Sequence, residues 1–128
     1  MSYYITIRTT IPFQDAINKV TEELKKEGFG VITTIDVKNT LKQKIDVDFR
    51  KYTILGACNP VFAHQALTMD DKIGTLLPCN VIVQETDDGT EISAINPQES
   101  MKGILGNELV EFAGEITKKL ESVINKFG

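Results

Sequence analysis

The chain has 128 residues, 41% hydrophobic and 25% charged, which excludes a disordered or collagen-like polymer and sizes the protein as a single domain, 1–128, with a core of its own. Fourteen Lys and Arg against eighteen Asp and Glu leave a formal charge of −4, which argues against nucleic acid as the main partner. Two cysteines are too few for a disulfide scaffold, and no apolar run approaches the ~20 residues of a membrane span. The opening stretch MSYYITIRTT lacks the charged-then-apolar order of a secretory signal, so the expected setting is cytoplasmic, with both thiols free.

Residues 3–10 alternate, Tyr3, Ile5, Ile7 and Thr9 against Tyr4, Thr6 and Arg8, which predicts a strand. Pro12 suits the first turn of a helix, whose stripe is Phe13, Ile17, Val20 and Leu24 and whose left-handed stop is Gly28. Residues 29–37 predict a second strand with Val31, Thr33, Ile35 and Val37 on one face. The basic stretch from Lys38 to Lys44 has room for one or two helical turns. A third strand is expected at 51–58, with Tyr52, Ile54, Gly56 and Cys58 sharing a face. Asn59–Pro60 then opens a short helix with Ala63, Ala66 and Leu67 on its apolar side, broken by Asp70, Asp71 and Gly74.

Leu76 to Glu85 and Thr90 to Asn96 read as strands joined through Asp87-Asp88-Gly89, residues that tolerate left-handed backbone. Asn96–Pro97 repeats the helix-start signal. A last helix runs to Phe127 with an interruption at Gly106–Asn107. Its stripe of Leu109, Ala113, Ile116, Leu120, Val123 and Phe127, widened by Phe112 and Ile124, fits a helix lying on a sheet. The order β-α-β-β-α-β-β-α predicts an α+β fold in two layers, a five-stranded mainly antiparallel sheet with helices packed mainly on one face.

Cys58 is the most informative residue. It ends a strand one position before a helix cap, where free amides and the helix dipole favour a thiolate. It reads as a nucleophilic, redox or metal-binding thiol, or else as a small buried hydrophobe at the end of a core strand. Gly56 leaves space on the same face, for a close-packed helix or for a ligand. Cys79 reads as core with Leu77, Val81 and Val83, while Asn80 falls on the other face with Ile82 and Gln84, in a wet groove, an interface or a half-exposed strand surface. No metal site is expected. Cys58, His64 and Cys79 carry suitable ligand types for zinc, but at no standard spacing, and His64 shares a helix side with Pro60 and Thr68 that points to solvent or to another chain. A Cys58–His64 nucleophilic pair is weakened by the same geometry. Lys38, Lys42, Lys44, Arg50 and Lys51 form either a solvated face, balanced by Asp36, Asp46 and Asp48, or an anion-binding rim.

The blocks Gly28-Phe29-Gly30-Val31, Asp36-Val37-Lys38, Asp48-Phe49-Arg50, Leu55-Gly56-Ala57-Cys58-Asn59-Pro60 and Leu77-Pro78-Cys79-Asn80-Val81 resemble the bacterial and archaeal domain-of-unknown-function family 302 over nearly the whole chain. The resemblance implies a compact two-layer β-α-β(4)-α domain that often forms a homodimer. It implies no reaction and no cofactor, and draws attention to Cys58, Asn59, Pro60, Cys79 and Asn80.

Three functions follow as expectations. The first is a homodimeric module that binds a small anion near Cys58, Asn59, Asn80 and Gly56, at the helix N-terminus. The second is a thiol carrier or enzyme with Cys58 as nucleophile and Asn59 or Asn80 as donors to an anionic intermediate. The third is a structural or partner-binding protein with buried thiols. The sequence identifies no cofactor.

Overall fold

Alternation and helical periodicity set the first half of the chain. The computed structural model describes residues 2–128, save the side chain of Glu108. In β1 (Tyr4–Thr9), Ile5 and Ile7 turn toward the core. Helix α1 (Phe13–Lys26) buries Ala16, Val20 and Leu24 and keeps Phe13 and Ile17 at the margin. Pro12 caps α1 from outside instead of standing in its first turn. Gly28, at φ +88°, supplies the left-handed residue that ends it. The Gly28 and Phe29 amides then donate to the Lys25 and Leu24 carbonyls at 3.1 and 2.9 Å, satisfying groups the helix leaves open.

Strand β2 (Gly30–Asp36) is shorter than the expected 29–37 and does not keep one face. Its register against the next strand slips between Val31, opposite Ala57, and Thr33, opposite Gly56. The extra residue, Ile32, is a bulge that reverses the alternation. Val31 therefore sides with the core, and Thr33 and Ile35 turn to the other face. Val37 is not strand at all but opens α2 (Val37–Ile45), a fuller helix than one or two turns, capped by Asp36 accepting from the Asn39 amide at 3.0 Å. It buries no side chain.

Strand β3 (Tyr52–Cys58) leads through Asn59 into α3 (Pro60–Met69). A 3-10 turn follows at Asp71–Leu76, so β4 (Cys79–Thr86) begins later than the expected Leu76. Leu77–Pro78, joined by a cis peptide bond, makes the connection. Strand β5 (Gly89–Ile95) follows a two-residue turn, Asp87–Asp88. That turn uses no left-handed backbone: among the described residues positive φ occurs only at Gly28, Asp46 and Gly103. Gly89 is required for space instead, since a Cβ there would run into the Thr9 carbonyl oxygen. The chain closes with α4 (Pro97–Ser100), a stretch of turns over 101–105, and α5 (Asn107–Asn125), a longer break than the interruption expected at Gly106–Asn107.

The five strands form one antiparallel sheet in the order β1-β5-β4-β3-β2. Leu55, Ala57, Val81, Val83, Ile92 and Ala94 face helices α1, α3 and α5 across a continuous apolar core. All six stripe residues, five of them in α5 and Phe127 just beyond its end, are buried there, and the Phe62 and Phe112 rings lie 5.2 Å apart. The fold is thus α+β, with helices mainly on one face. The core face of β3 is Thr53-Leu55-Ala57, so Tyr52, Ile54, Gly56 and, by the same alternation, Cys58 belong to the opposite, helix-free face, where the register places the first three beside Gln84, Ile82 and Asn80.

Both Asn-Pro pairs cap helices. Asn59 accepts from the Phe62 amide at 3.2 Å and Asn96 from the Glu99 amide at 3.4 Å. Asn96 is only 3% exposed. Its oxygen also accepts from the Thr117 hydroxyl at 3.0 Å, and its amide donates to the Ser2 carbonyl at 3.3 Å. This cluster pins α5 and the N-terminal stretch to one end of the sheet.

Candidate functional site

Antiparallel register brings the two cysteines to the same end of adjacent strands. Cys58 is the last residue of β3, Cys79 the first of β4, and Ala57 stands directly opposite Cys79. Helix α3 leaves the end of β3, and the 3-10 turn brings Leu77 and Pro78 back to the start of β4. Between them lies a cavity of about 270 Å3. Cys58, Asn59 and Cys79 line it together with Ile32, Phe62, Ala63, Leu67, Leu77 and Pro78. Both thiols are free; Cys79 is buried and Cys58 half-buried. Burial pushes the Cys79 thiol up to about 11, and the neighbouring Cys58 adds to the push.

The start of α3 offers few free donors. Asn59 accepts the Phe62 amide through its side chain and the Ala63 amide through its carbonyl, at 3.2 and 2.9 Å. Pro60 has no N–H. Only Val61 keeps an amide that the cap does not engage. The fan of unpaired amides expected beside Cys58 is therefore largely used by the cap, and the remaining walls are carbon.

The residues singled out by sequence separate into distinct places. Cys58 and Asn59 share the cavity with Cys79. Gly56 leaves no room for a ligand: a Cβ there would collide with the Thr33 hydroxyl and sit 2.8 Å from Pro78 Cγ, so these two, not a helix, fill its space. Asn80 turns to the helix-free face, in a shallow groove of about 400 Å3 flanked by Tyr3, Tyr4 and Tyr52. His64 is exposed and lines a third depression with Pro60, Val61, Gln65, Thr68 and Met69. Among the described residues, no three His, Cys, Asp or Glu side chains come together as a metal cluster.

Three cations of the basic stretch are engaged locally. Lys42 meets Asp46 at 2.9 Å and Asp48 at 3.3 Å, and Lys38 donates to the Phe49 carbonyl at 2.8 Å. Arg50 lies over the Phe49 ring at 4.5 Å and donates to Gln84 at 3.0 Å.

Sequence reasoning missed the cavity walls, because Ile32, Leu77 and Pro78 come from elements whose contact depends on the register of β2, β3 and β4. It also missed a polar chain on the helix-free face. Arg8 binds Glu91 at 3.1 Å, Gln84 donates to Glu91 at 3.3 Å, and Arg50 completes the row. Alternation along β4 was the available signal, since Gln84 shares a face with Asn80.

Residues 5–127 match the family described as "Domain of unknown function DUF302". A crystal structure of an uncharacterized conserved DUF302 protein from Bacillus stearothermophilus is similar over 100% of both chains, with a TM-score of 0.91 and 28% sequence identity. No curated protein matches.

Proposed function

We propose, from the premise that the chain belongs to the DUF302 family of domains of unknown function, that it is a homodimeric small-ligand-binding module whose ligand site is the cavity between the ends of β3 and β4 and the start of α3. The single observation that carries this reading is the half-open, mainly carbon-lined cavity of about 270 Å3. Apolar cavities smaller than this, about 150 Å3, hold a benzene-sized guest. The walls and the engaged amides of α3 suit a small uncharged or soft guest better than the anion expected from the helix N-terminus. The thiol-nucleophile reading has less support, because His64, which would serve as its base, faces elsewhere; the Asn59 cap engages only Oδ1 and leaves Nδ2 able to donate.

Benzene, titrated into labelled protein, tests the cavity. Saturable shifts are expected at the amides of residues 57–63 and 77–79. Ala63→Phe, which projects a ring into the space, is expected to abolish them while the rest of the spectrum is kept. Shifts scattered over the surface, or saturable shifts with inorganic phosphate and none with benzene, would replace this reading with a different site or guest.

The dimer reading rests on the helix-free face. Ile54 and Ile82 form its centre, with Ile35 46% exposed beside them and Tyr4 43% exposed toward the other edge. Five strands of six to eight residues cover roughly 24 by 20 Å. Such a patch, roughly 480 Å2 in plan, falls short of the ~800 Å2 per partner of a standard interface, so a stable dimer on this face would also draw on the flanking loops.

A further inference from the structure

We infer that the free edge of β1 pairs with β1 of a second copy of the chain, antiparallel and about a twofold axis through Thr6, so that two sheets join into one. The inference goes beyond the contact proposed for the helix-free face and does not depend on it. Strand β1 borders the sheet and pairs only with β5. The Tyr3 carbonyl accepts from the Asn96 amide at 2.7 Å in the same register, so Tyr3, Ile5, Ile7 and Thr9 direct their main-chain groups to β5. Tyr4, Thr6 and Arg8 direct theirs away from the sheet, and the Tyr4 amide reaches only the Ser2 hydroxyl, at 3.4 Å. Among the described residues, nothing takes up the outward amides of Thr6 and Arg8. Devices that blunt an exposed edge are missing from β1. It has no proline and no lysine, and it keeps an even register with β5, whereas β2 at the opposite border slips at Ile32.

The side chains of β1 select a copy of itself. Pairing centred on Thr6 sets Tyr4 opposite the partner's Arg8 and Ile5 opposite the partner's Ile7, and it keeps Arg8 away from the partner's Arg8. The residues that then exchange main-chain hydrogen bonds are Tyr4, Thr6 and Arg8, whose groups point outward. Arg8 donates to Glu91 at 3.1 Å, yet its side chain is 67% exposed, so the flat face of the guanidinium is open to the partner's Tyr4 ring. On the helix-covered side Ile5 and Ile7 are only half-buried, while Ile92 and Ala94 beside them are fully covered; the partner's isoleucines supply the missing flank. A strand edge buries less than a sheet face, which places it among the weak, transient contacts below about 1,200 Å2. The pairing therefore sets in near millimolar concentration, above the range expected of the face contact.

Amide hydrogen exchange of the full chain, compared at about 20 μM and about 1 mM, tests the pairing. The Thr6 and Arg8 amides are expected to exchange about twofold more slowly at the higher concentration, while those of Ile5 and Ile7, bonded to β5, stay protected at both. In a mixture of labelled and unlabelled chains at the higher concentration, a nuclear Overhauser contact is expected between the Tyr4 ring and the Arg8 side chain. Four residues along one strand separate the two by ~13 Å, so only a partner brings them together. Thr6→Lys, which sets two ammonium groups face to face at the axis, is expected to abolish both signals. Thr6→Pro removes an outward N–H without breaking the ladder to β5 and is expected to do the same, read at Arg8. Protection of Ile5 and Ile7 reports that each variant is folded. The inference is overturned if Thr6 and Arg8 in the wild type exchange equally at both concentrations, or if the slowing persists in a folded variant. A dimer at tens of micromolar without the slowing overturns the edge alone, and slowing in a chain that is monomeric at tens of micromolar overturns the face alone.

Discussion

In the unfolded chain the Cys79 thiol titrates near 9, whereas burial in the folded protein pushes it up to about 11. Between those values the unfolded state has lost a proton that the folded state retains. Stability from this group is therefore complete below about pH 9 and is lost as the pH rises toward 11, by roughly 2–3 kcal/mol over the window. Urea unfolding of the wild type at pH 8 and pH 11 should show this loss, and Cys79→Ala should lack that part of the slope. Equal slopes in the two proteins would mean that other groups set the alkaline limit. The same burial makes Cys79 the slower thiol toward alkylating agents, since little of it is ionised near neutral pH and its sulfur sits beneath the strand end.

Helix caps were the most legible elements, because their chemistry is local. Asn59–Pro60 and Asn96–Pro97 each name a cap and a first helical residue, and both helices start there. The α5 stripe was equally readable, since its spacing needs no knowledge of a partner. The face of β3 was not. Tyr52-Ile54 and Thr53-Leu55-Ala57 are both acceptable core faces by composition, and only the packing of α3 and α5 decides between them. Nor was the bulge at Ile32, because Val31, Ile32 and Thr33 are all good strand formers and fit the pattern with or without an extra residue. Sharing of one cavity by Cys58 and Cys79 follows from strand pairing, which no local pattern encodes. The two caps also differ in consequence. Asn59 holds one helix start, whereas Asn96 additionally satisfies the buried Thr117 hydroxyl. Asn96→Ala is expected to cost about 2–3 kcal/mol and Asn59→Ala about 1 kcal/mol. Chemical denaturation measures both, and an equal loss would show that the Thr117 link adds nothing.

At the scale of the molecule, the sheet has one face under helices and one without them. If that second face meets its copy, the wild type at tens of micromolar should scatter light as a dimer. Ile54→Lys combined with Ile82→Lys should yield a monomer with unchanged circular dichroism, since neither side chain belongs to the helix-covered core. A wild-type monomer, or a dimer indifferent to these lysines, would remove the face from consideration. Strand β2 lies at the border of the sheet, where unpaired main-chain groups invite further strands to add. The misfit residue at Ile32 bends that border and breaks its even ladder. End-to-end growth into fibrils is thereby discouraged on that side, and deleting Ile32 would straighten the very margin along which such polymerisation begins.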